Sequence, residues 1–465
     1  MGQGTAEPDR TGERRPRQEA SLTERSKDYG MTEPLVFVGT SDLSGKLRGK
    51  AFPLTALPGR LDRGMGWTPT NVMITCFDGI ADGPFGSLGD LVLMPDPAAA
   101  MDLDLSGGIE RVILSDIREL DGTTPWGLCG RSILKAAIIR LNGFSGLRAI
   151  ATFEHEFQLL GGPPQPGQAF GLAGFSARRH LGERIMAALR SAGCDPDSFL
   201  REYGSDQYEV TIDPKDALRA ADEAVLLREI VRLVARDEGE TATFSPITDP
   251  TGVGNGVHVH VSLRDADGVP VTWDKDGPGE LSPVAASFVA GILKYLPSMV
   301  ALTAASNISY LRLTPQRWSA AYNNLGFRDR EAALRICPVT GRTPDAIAQQ
   351  YNFEYRAADA TASPYITLAA ILHAGCQGIE EGLTVAQPAG EDLSLLSSAE
   401  LAARGVERLP ETLDAALDRL ESDRTVASFF PVQFLPVYLA LKRAEIAALG
   451  TATIAERCAR YLATY

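Results

Sequence analysis

The stretch that decides the architecture is ATFEHEFQLL, residues 151–160. Its aromatic and apolar content predicts a strand. Side chains at i and i+2 of a strand share a face, so Glu154 and Glu156 stand side by side. Like charges that close repel unless something positive lies between them. A solvated face would also accept the pair, so the positive partner has to be sought elsewhere in the chain.

A second strand repeats the pattern with imidazoles. In VHVHVSL (257–263), His258 and His260 share one face and valines the other, and the chain has only five histidines. The segment 202–210, EYGSDQYEV, sets Glu202 and Glu209 either side of a turn. The segment 352–359, NFEYRAAD, sets Glu354 and Arg356 on one face of a short strand. Taken singly, each pattern also fits a solvated face or filler. Together, five glutamates and two histidines on strands can line one cavity. Hard oxygen ligands with imidazole suit Mg²⁺ or Mn²⁺ between the carboxylates.

A basic segment follows in SNISYLRLTPQRWSAAYNNLGFRDREAALRICP, residues 306–338. Arg312, Arg328, Arg330 and Arg335 cannot all be buried without anionic partners. Either they pair with the acidic strands or they receive a phosphate or carboxylate from a ligand, for which the planar guanidinium is suited. Divalent metal beside clustered arginine is a usual kit for phosphoryl transfer.

Composition bounds these readings. The chain has 465 residues, is 44% hydrophobic and 22% charged, and carries a net charge of −14. Such a balance supports a large core and argues against non-specific nucleic-acid binding. No apolar run is read as reaching the roughly 18–20 residues of a membrane span. The six cysteines lack C-x-x-C or metal-ligand spacing and read as free thiols of a reducing, cytoplasmic setting. Residues 1–30 are polar, lack a secretory apolar region and are expected to be a disordered extension, with Met31 an alternative start.

From there, residues 34–40, 71–77 and 90–94 read as strands of a small β-rich domain reaching about residue 115. Helices are expected at 131–144, closed by an Asn-Gly stop, and at 175–193, 214–239 and 282–302, the last interrupted near Pro297. Strands are expected at 206–213 and 256–265, and helices again near the carboxyl end. The class is α+β.

The order of these motifs resembles the glutamine synthetase family over roughly residues 34–448. DLSGKLRGK (42–50), the E-x-E strand, GNGVHVHVSL (254–263), YLRLTP…RDREAALRI and FEYRAADATASPYITLAAILHAG each resemble a family motif, in the family's order. The resemblance implies an amino-terminal β-grasp domain (31–115) and a catalytic domain (116–465) with an antiparallel sheet backed by helices. It implies that Glu156, Glu202 and Glu209 hold one metal, and Glu154, His258 and Glu354 a second, with two or three Mg²⁺ or Mn²⁺ ions per site. His260 and Ser262 fall on the nucleotide side. Gly254 and Gly256 let the backbone approach glutamate, and Arg312 and Arg356 grip its carboxylates. Arg330 and Arg335 meet the transferring phosphate, and Asp42, from a neighbouring subunit, positions or deprotonates the amine. Family members form rings, so a hexameric ring or double ring is expected.

One departure bears on the substrate. Aligned without gaps from Arg312 to Arg335, the family's flap glutamate falls on Trp318, an indole that cannot accept a proton. Val253 and Asn352 also stand where the family carries Asn and often Arg. Retained metal positions with a lost ammonium carboxylate imply a changed amine, bulky or aromatic, joined to L-glutamate at the expense of ATP. The alternatives are a glutamine synthetase using ammonia, with Glu331 or Asp329 serving as the acid, and a non-catalytic family member.

Overall fold

Two sheets carry the molecule, and the E-x-E strand lies at the centre of the larger one. The computed structural model describes residues 32–161, 169–388 and 390–465; the extension expected at 1–30 lies outside the described residues. In the first sheet, β1 (Leu35–Ser41) and β2 (Leu47–Pro53) form an antiparallel hairpin. Helix α1 (Leu57–Arg63) leads to β3 (Met65–Trp67), β4 (Leu91–Leu105) and β5 (Gly108–Arg118). The strand order is β2-β1-β5-β4-β3, with β1 parallel to β5. The hairpin turn holds Gly45 at φ +74°, where a Cβ would come within 2.9 Å of the Ala362 carbonyl oxygen, so the turn sits directly on the rest of the chain.

Helix α2 (Gly130–Ser145) opens the larger unit. It is followed by β6 (Arg148–Leu160), α3 (Leu172–Ser191), β7 (Pro196–Arg201), β8 (Gln207–Ile212), β9 (Lys215–Asp216), α4 (Ala217–Asp237), β10 (Thr241–Thr243) and β11 (Val257–Arg264). Next come α5 (Pro283–Thr303), α6 (Ser309–Arg312), β12 (Leu325–Phe327), β13 (Leu334–Ile336), α7 (Pro344–Gln350), β14 (Phe353–Tyr355) and α8 (Pro364–Glu380). The nine-stranded sheet runs β12-β13-β14-β11-β6-β8-β7, with β9 and β10 also pairing to β6. Phe153, Phe157, Val259 and Val261 turn one face of the sheet into a core backed by α4 and α8. The opposite parity of the same strands is left for polar side chains. Arg131 stitches the two units: its guanidinium is bidentate to Asp222 on α4 (2.9 and 2.9 Å) and donates to Asp116 on β5 at 3.0 Å.

Local expectations fail in four places. Residues 71–77 are not a strand; Pro69–Met73 is a 3₁₀ turn, for which Pro69 at its start is pre-set, and only Ile74 bridges across to Ile80. Helix α2 runs through Asn142 and Gly143 and ends at Gly146, whose φ of +69° permits the left-handed cap. Pro297 does not break α5, whose surroundings hold it in line. That helix is also long and apolar enough to cross a membrane, contrary to expectation; with 78% of its apolar window buried it is a core helix, packed on α8.

Candidate active site

Strand register assembles the polar face. On β6, Glu154 pairs with His258 of β11, and Glu156 with Glu209 of β8. His260 of β11 pairs with Glu354 of β14, which pairs in turn with Arg335 of β13. Each lies at the i or i+2 parity of its strand, so one row of carboxylate, imidazole and guanidinium crosses five adjacent strands. Glu202 joins from the β7–β8 hairpin. Its turn is closed by Arg201, whose Nη1 donates to the carbonyls of Glu202, Gly204 and Gln207 at 2.6–2.9 Å.

All six predicted metal ligands therefore meet. Ligand atoms of Glu156, Glu202 and Glu209 lie within 4.8 Å of one another, as do those of Glu154, Glu209 and His258. His258 Nδ1 is 3.5 Å from Glu154 Oε2 and 3.3 Å from Glu354 Oε1, so Glu354 borders the second set. Burial, reinforced by the charges of Glu154, Glu156 and Glu202, pushes Glu209 up to about 9. Burial and Glu156 likewise raise Glu202. For Glu354 the burial penalty is outweighed by His258, Arg356 and His260, which hold it at about 2. Carboxylates crowded until one keeps its proton are a site short of positive charge. The donor set of oxygens and one imidazole fits hard divalent cations, which would supply it.

The arginines divide. Arg312, 4% exposed, donates to Ser319 Oγ (3.1 Å) and to the carbonyls of Arg356 and Ala358, and among the described residues makes no ion pair within 4.0 Å, though the charges of Asp359 and Glu156 reach it. Among the described residues, the Nε groups of Arg312, Arg335 and Arg356 are buried without hydrogen-bond partners. Arg335 donates to Glu354 Oε2 at 2.8 Å, and Arg356 donates to Glu354 Oε1 and, at 2.9 Å, to the Trp318 carbonyl. Arg328 and Arg330 are exposed, and the Arg330 charge reaches Glu202. Gly254 and Gly256 press on Arg312: a Cβ at Gly254 would meet its Cγ at 2.7 Å, and the Gly256 amide donates to Glu156 Oε2 at 2.6 Å. Ser262 shares the strand parity of the two histidines.

Residues 315–319 form a flap over this row. Gln316 and Trp318 both have positive φ (61° and 53°), costly for side chains with a Cβ. The Glu331 carboxylate holds them there, accepting the amides of Gln316 at 2.9 Å and Trp318 at 2.6 Å. Trp318 itself is 67% exposed. Arg317 ties the flap to the loop bearing Val253 by donating to the carbonyls of Gly252 and Pro250.

Asp42 is not brought to this row within the chain. Its carboxylate accepts Arg48 Nε (2.5 Å) and the amides of Ser44 and Lys46 (2.9 Å each) in the β1–β2 turn. Sequence reasoning also passed over Cys337, judged to lack ligand spacing. All six cysteines are free and buried, but Cys337 lies 3.6 Å from both His260 Nδ1 and Glu354 Oε2. The signal was its i+2 spacing from Arg335, one residue past the end of β13. Asn352, noted only as a departure, has its Oδ1 2.9 Å from His260 Nδ1.

Comparison with known proteins bears on the family and the fold. Residues 127–461 match the family model of the glutamine synthetase catalytic domain, and residues 25–126 that of the glutamine synthetase N-terminal domain. A gamma-glutamylpolyamine synthetase of Streptomyces coelicolor is 32% identical over 392 residues, covering 82% of this chain and 83% of its own. A glutamine synthetase of Thermococcus kodakarensis is 30% identical over 411 residues, 87% of each. Among solved structures, a novel glutamine synthase homolog superposes with a TM-score of 0.87 at 41% identity, covering 94% of this chain and all of the other. Apo GmaS without ligand gives 0.77 at 25% identity, covering 91% and 96%.

Proposed function

The chain belongs to the glutamine synthetase family of carbon–nitrogen ligases, and on that premise we propose that it joins the γ-carboxylate of L-glutamate to an organic amine, with ATP cleaved to ADP and phosphate. The observation that carries the choice of amine is the flap. Trp318 stands where the family's ammonium carboxylate falls, and the adjacent acid, Glu331, has both oxygens engaged by flap amides. An exposed tryptophan on this segment suits a bulky or aromatic amine, by stacking or cation–π contact. The similarity to a gamma-glutamylpolyamine synthetase supports an organic amine in place of ammonia.

A carboxylate is a poor electrophile, so its γ-oxygen first takes the terminal phosphoryl group of ATP, giving an acyl phosphate and ADP. The amine nitrogen then attacks the acyl carbon, phosphate leaves, and the amine gives up a proton. In this scheme Arg312 and Arg356 hold the glutamate carboxylates, with Gly254 and Gly256 allowing backbone approach. Arg330 and Arg335 offset charge on the transferring phosphoryl group. His260 and Ser262 face the nucleotide. Two or three Mg²⁺ or Mn²⁺ ions held by Glu156, Glu202 and Glu209 and by Glu154, His258 and Glu354 would supply charge neutralisation on the phosphates. The flap excludes water that would hydrolyse the acyl phosphate. A neutral arylamine needs no base before attack; a charged alkylamine or polyamine needs a base to take its proton, such as the Asp42 carboxylate.

ADP and phosphate release with Mg·ATP, L-glutamate and ammonia, methylamine, ethanolamine, putrescine or aniline tests this reading. Turnover with an organic amine and little with ammonia is expected. Turnover with ammonia alone would make the chain a glutamine synthetase.

A further inference from the structure

We propose that His260, Cys337 and Glu354 form a binding site for a thiophilic, four-coordinate divalent cation of the Zn²⁺ class, distinct from the hard-cation positions beside it. The three ligand atoms come from β11, the end of β13 and β14, and lie within 4.8 Å of one another. Cys337 Sγ is 3.6 Å from His260 Nδ1 and 3.6 Å from Glu354 Oε2. With Zn–S near 2.3 Å and Zn–N or Zn–O near 2.0–2.1 Å, the edges of a tetrahedron that join sulfur to nitrogen or oxygen are about 3.5–3.6 Å. The observed separations are those edges.

A second observation concerns the far side of the imidazole. His260 Nε2 lies 3.0 Å from Glu154 Oε1. A carboxylate this near the free ring nitrogen is of the kind that orients metal-binding histidines, although here the pair is off the line of a hydrogen bond. Glu354 is likewise divided: Oε1 faces His258 and the hard-cation set, while Oε2 faces Cys337. Asn352 Oδ1, beside His260 Nδ1, is at hand as a fourth donor. An N, S, O donor set favours Zn²⁺ over Mg²⁺, which prefers all-oxygen octahedra.

Binding releases the Cys337 thiol proton and any proton on His260 Nδ1 to solvent, leaving thiolate and neutral imidazole as ligands. It also sets the cation against Arg335, which donates to the same Glu354 oxygen at 2.8 Å. Under the ligase reading above, that displaces a phosphate-binding guanidinium, so the bound cation inhibits; the binding itself does not rest on that reading.

The test uses the whole chain, freed of metal by chelator and titrated with Co²⁺. Wild type is expected to develop a thiolate-to-cobalt charge-transfer band that Zn²⁺ bleaches and excess Mg²⁺ leaves in place. The C337S and C337A variants, checked for fold by circular dichroism, are expected to lack the band. Zn²⁺ inhibition of Mg²⁺-supported turnover is expected to weaken by about 10–100-fold in the same variants. A wild type without the band, a band that survives C337S, or a band that Mg²⁺ bleaches overturns the assignment. Because the band is read without substrate, it holds or fails independently of the ligase activity.

Discussion

Glu209 shows what a single residue discloses about the site. In the unfolded chain it loses its proton near 4.5, whereas burial and three carboxylate neighbours hold the proton in the folded state up to about 9. Between those values the folded, cation-free protein binds more protons than the unfolded one, so its stability falls as pH rises. Glu202 is shifted in the same sense. His260, raised well above 6.5 because Glu154 and Cys337 outweigh its burial, also loses its contribution as pH rises. Melting temperature measured in chelator is expected to decline across that interval, Mg²⁺ to flatten the decline, and Glu209→Gln to reduce its slope. A cation-free melting temperature that climbs with pH would contradict this account of the acidic row. Trp318 carries the second residue-scale expectation. Restoring an acid with Trp318→Glu puts a carboxylate on the flap and removes the indole. The ratio of kcat/KM for ammonia to that for the best organic amine is expected to rise by about 10–100-fold. An unchanged ratio in steady-state assays would remove Trp318 from amine selection.

At the scale of elements, the site depends on how closely the helices behind the sheet pack. Helices α5 and α8 approach through glycine: a Cβ on Gly291 would lie 2.2 Å from the Ala374 carbonyl oxygen and 2.6 Å from Gly378 Cα. Both contacts are backbone, so neither yields by changing a rotamer. Gly291→Ala is expected to cost about 1–3 kcal/mol by forcing the helices apart, read as a lower denaturation midpoint at unchanged m. The same contrast between backbone and side chain explains what could be read from the sequence. The strands bearing Glu154, Glu156, His258 and Glu354 were legible because period-two alternation with β-branched partners is a local signal. Their cross-strand pairing was not, since register depends on the whole sheet, and only the order of family-like motifs suggested it. Pro297 misled because a buried helix outweighs its local breaker, whereas the exposed Asn142–Gly143 pair misled because the left-handed cap falls three residues later, at Gly146. Cys337 was missed because its partners, His260 and Glu354, lie on other strands, and its i+2 spacing from Arg335 does not by itself point to them.

At the scale of the whole molecule, the unresolved element of the scheme is Asp42. Within one chain its carboxylate is turned into its own hairpin, bound by Arg48 and two amides. The hairpin is nevertheless held firmly against the catalytic unit. Tyr465 donates its hydroxyl to the Ser44 carbonyl at 2.6 Å, and Ser44 Oγ donates to Glu445 Oε1 at 2.8 Å. Glu445 is itself paired with the buried Lys442 at 2.9 Å. A turn so fixed, carrying an acid that its own acidic row does not use, fits a part supplied to a neighbouring subunit. Such sharing requires a head-to-tail interface, which closes into a ring when the rotation between successive subunits completes a circle. Two variants separate sharing from a merely structural role. Asp42→Ala leaves every metal ligand in place, and Glu154→Ala leaves every hairpin in place. Each alone is expected to lose more than about 99% of turnover, a hundredfold effect of the size seen when groups that orient a metal centre are removed. Mixed by co-expression or by dissociation and reassembly, they regain part of the activity, because some sites then combine an intact acidic row from one subunit with an intact Asp42 from the next. Activity in the mixture no greater than in either variant alone, with assembly confirmed by light scattering, would place Asp42 in the support of its own hairpin.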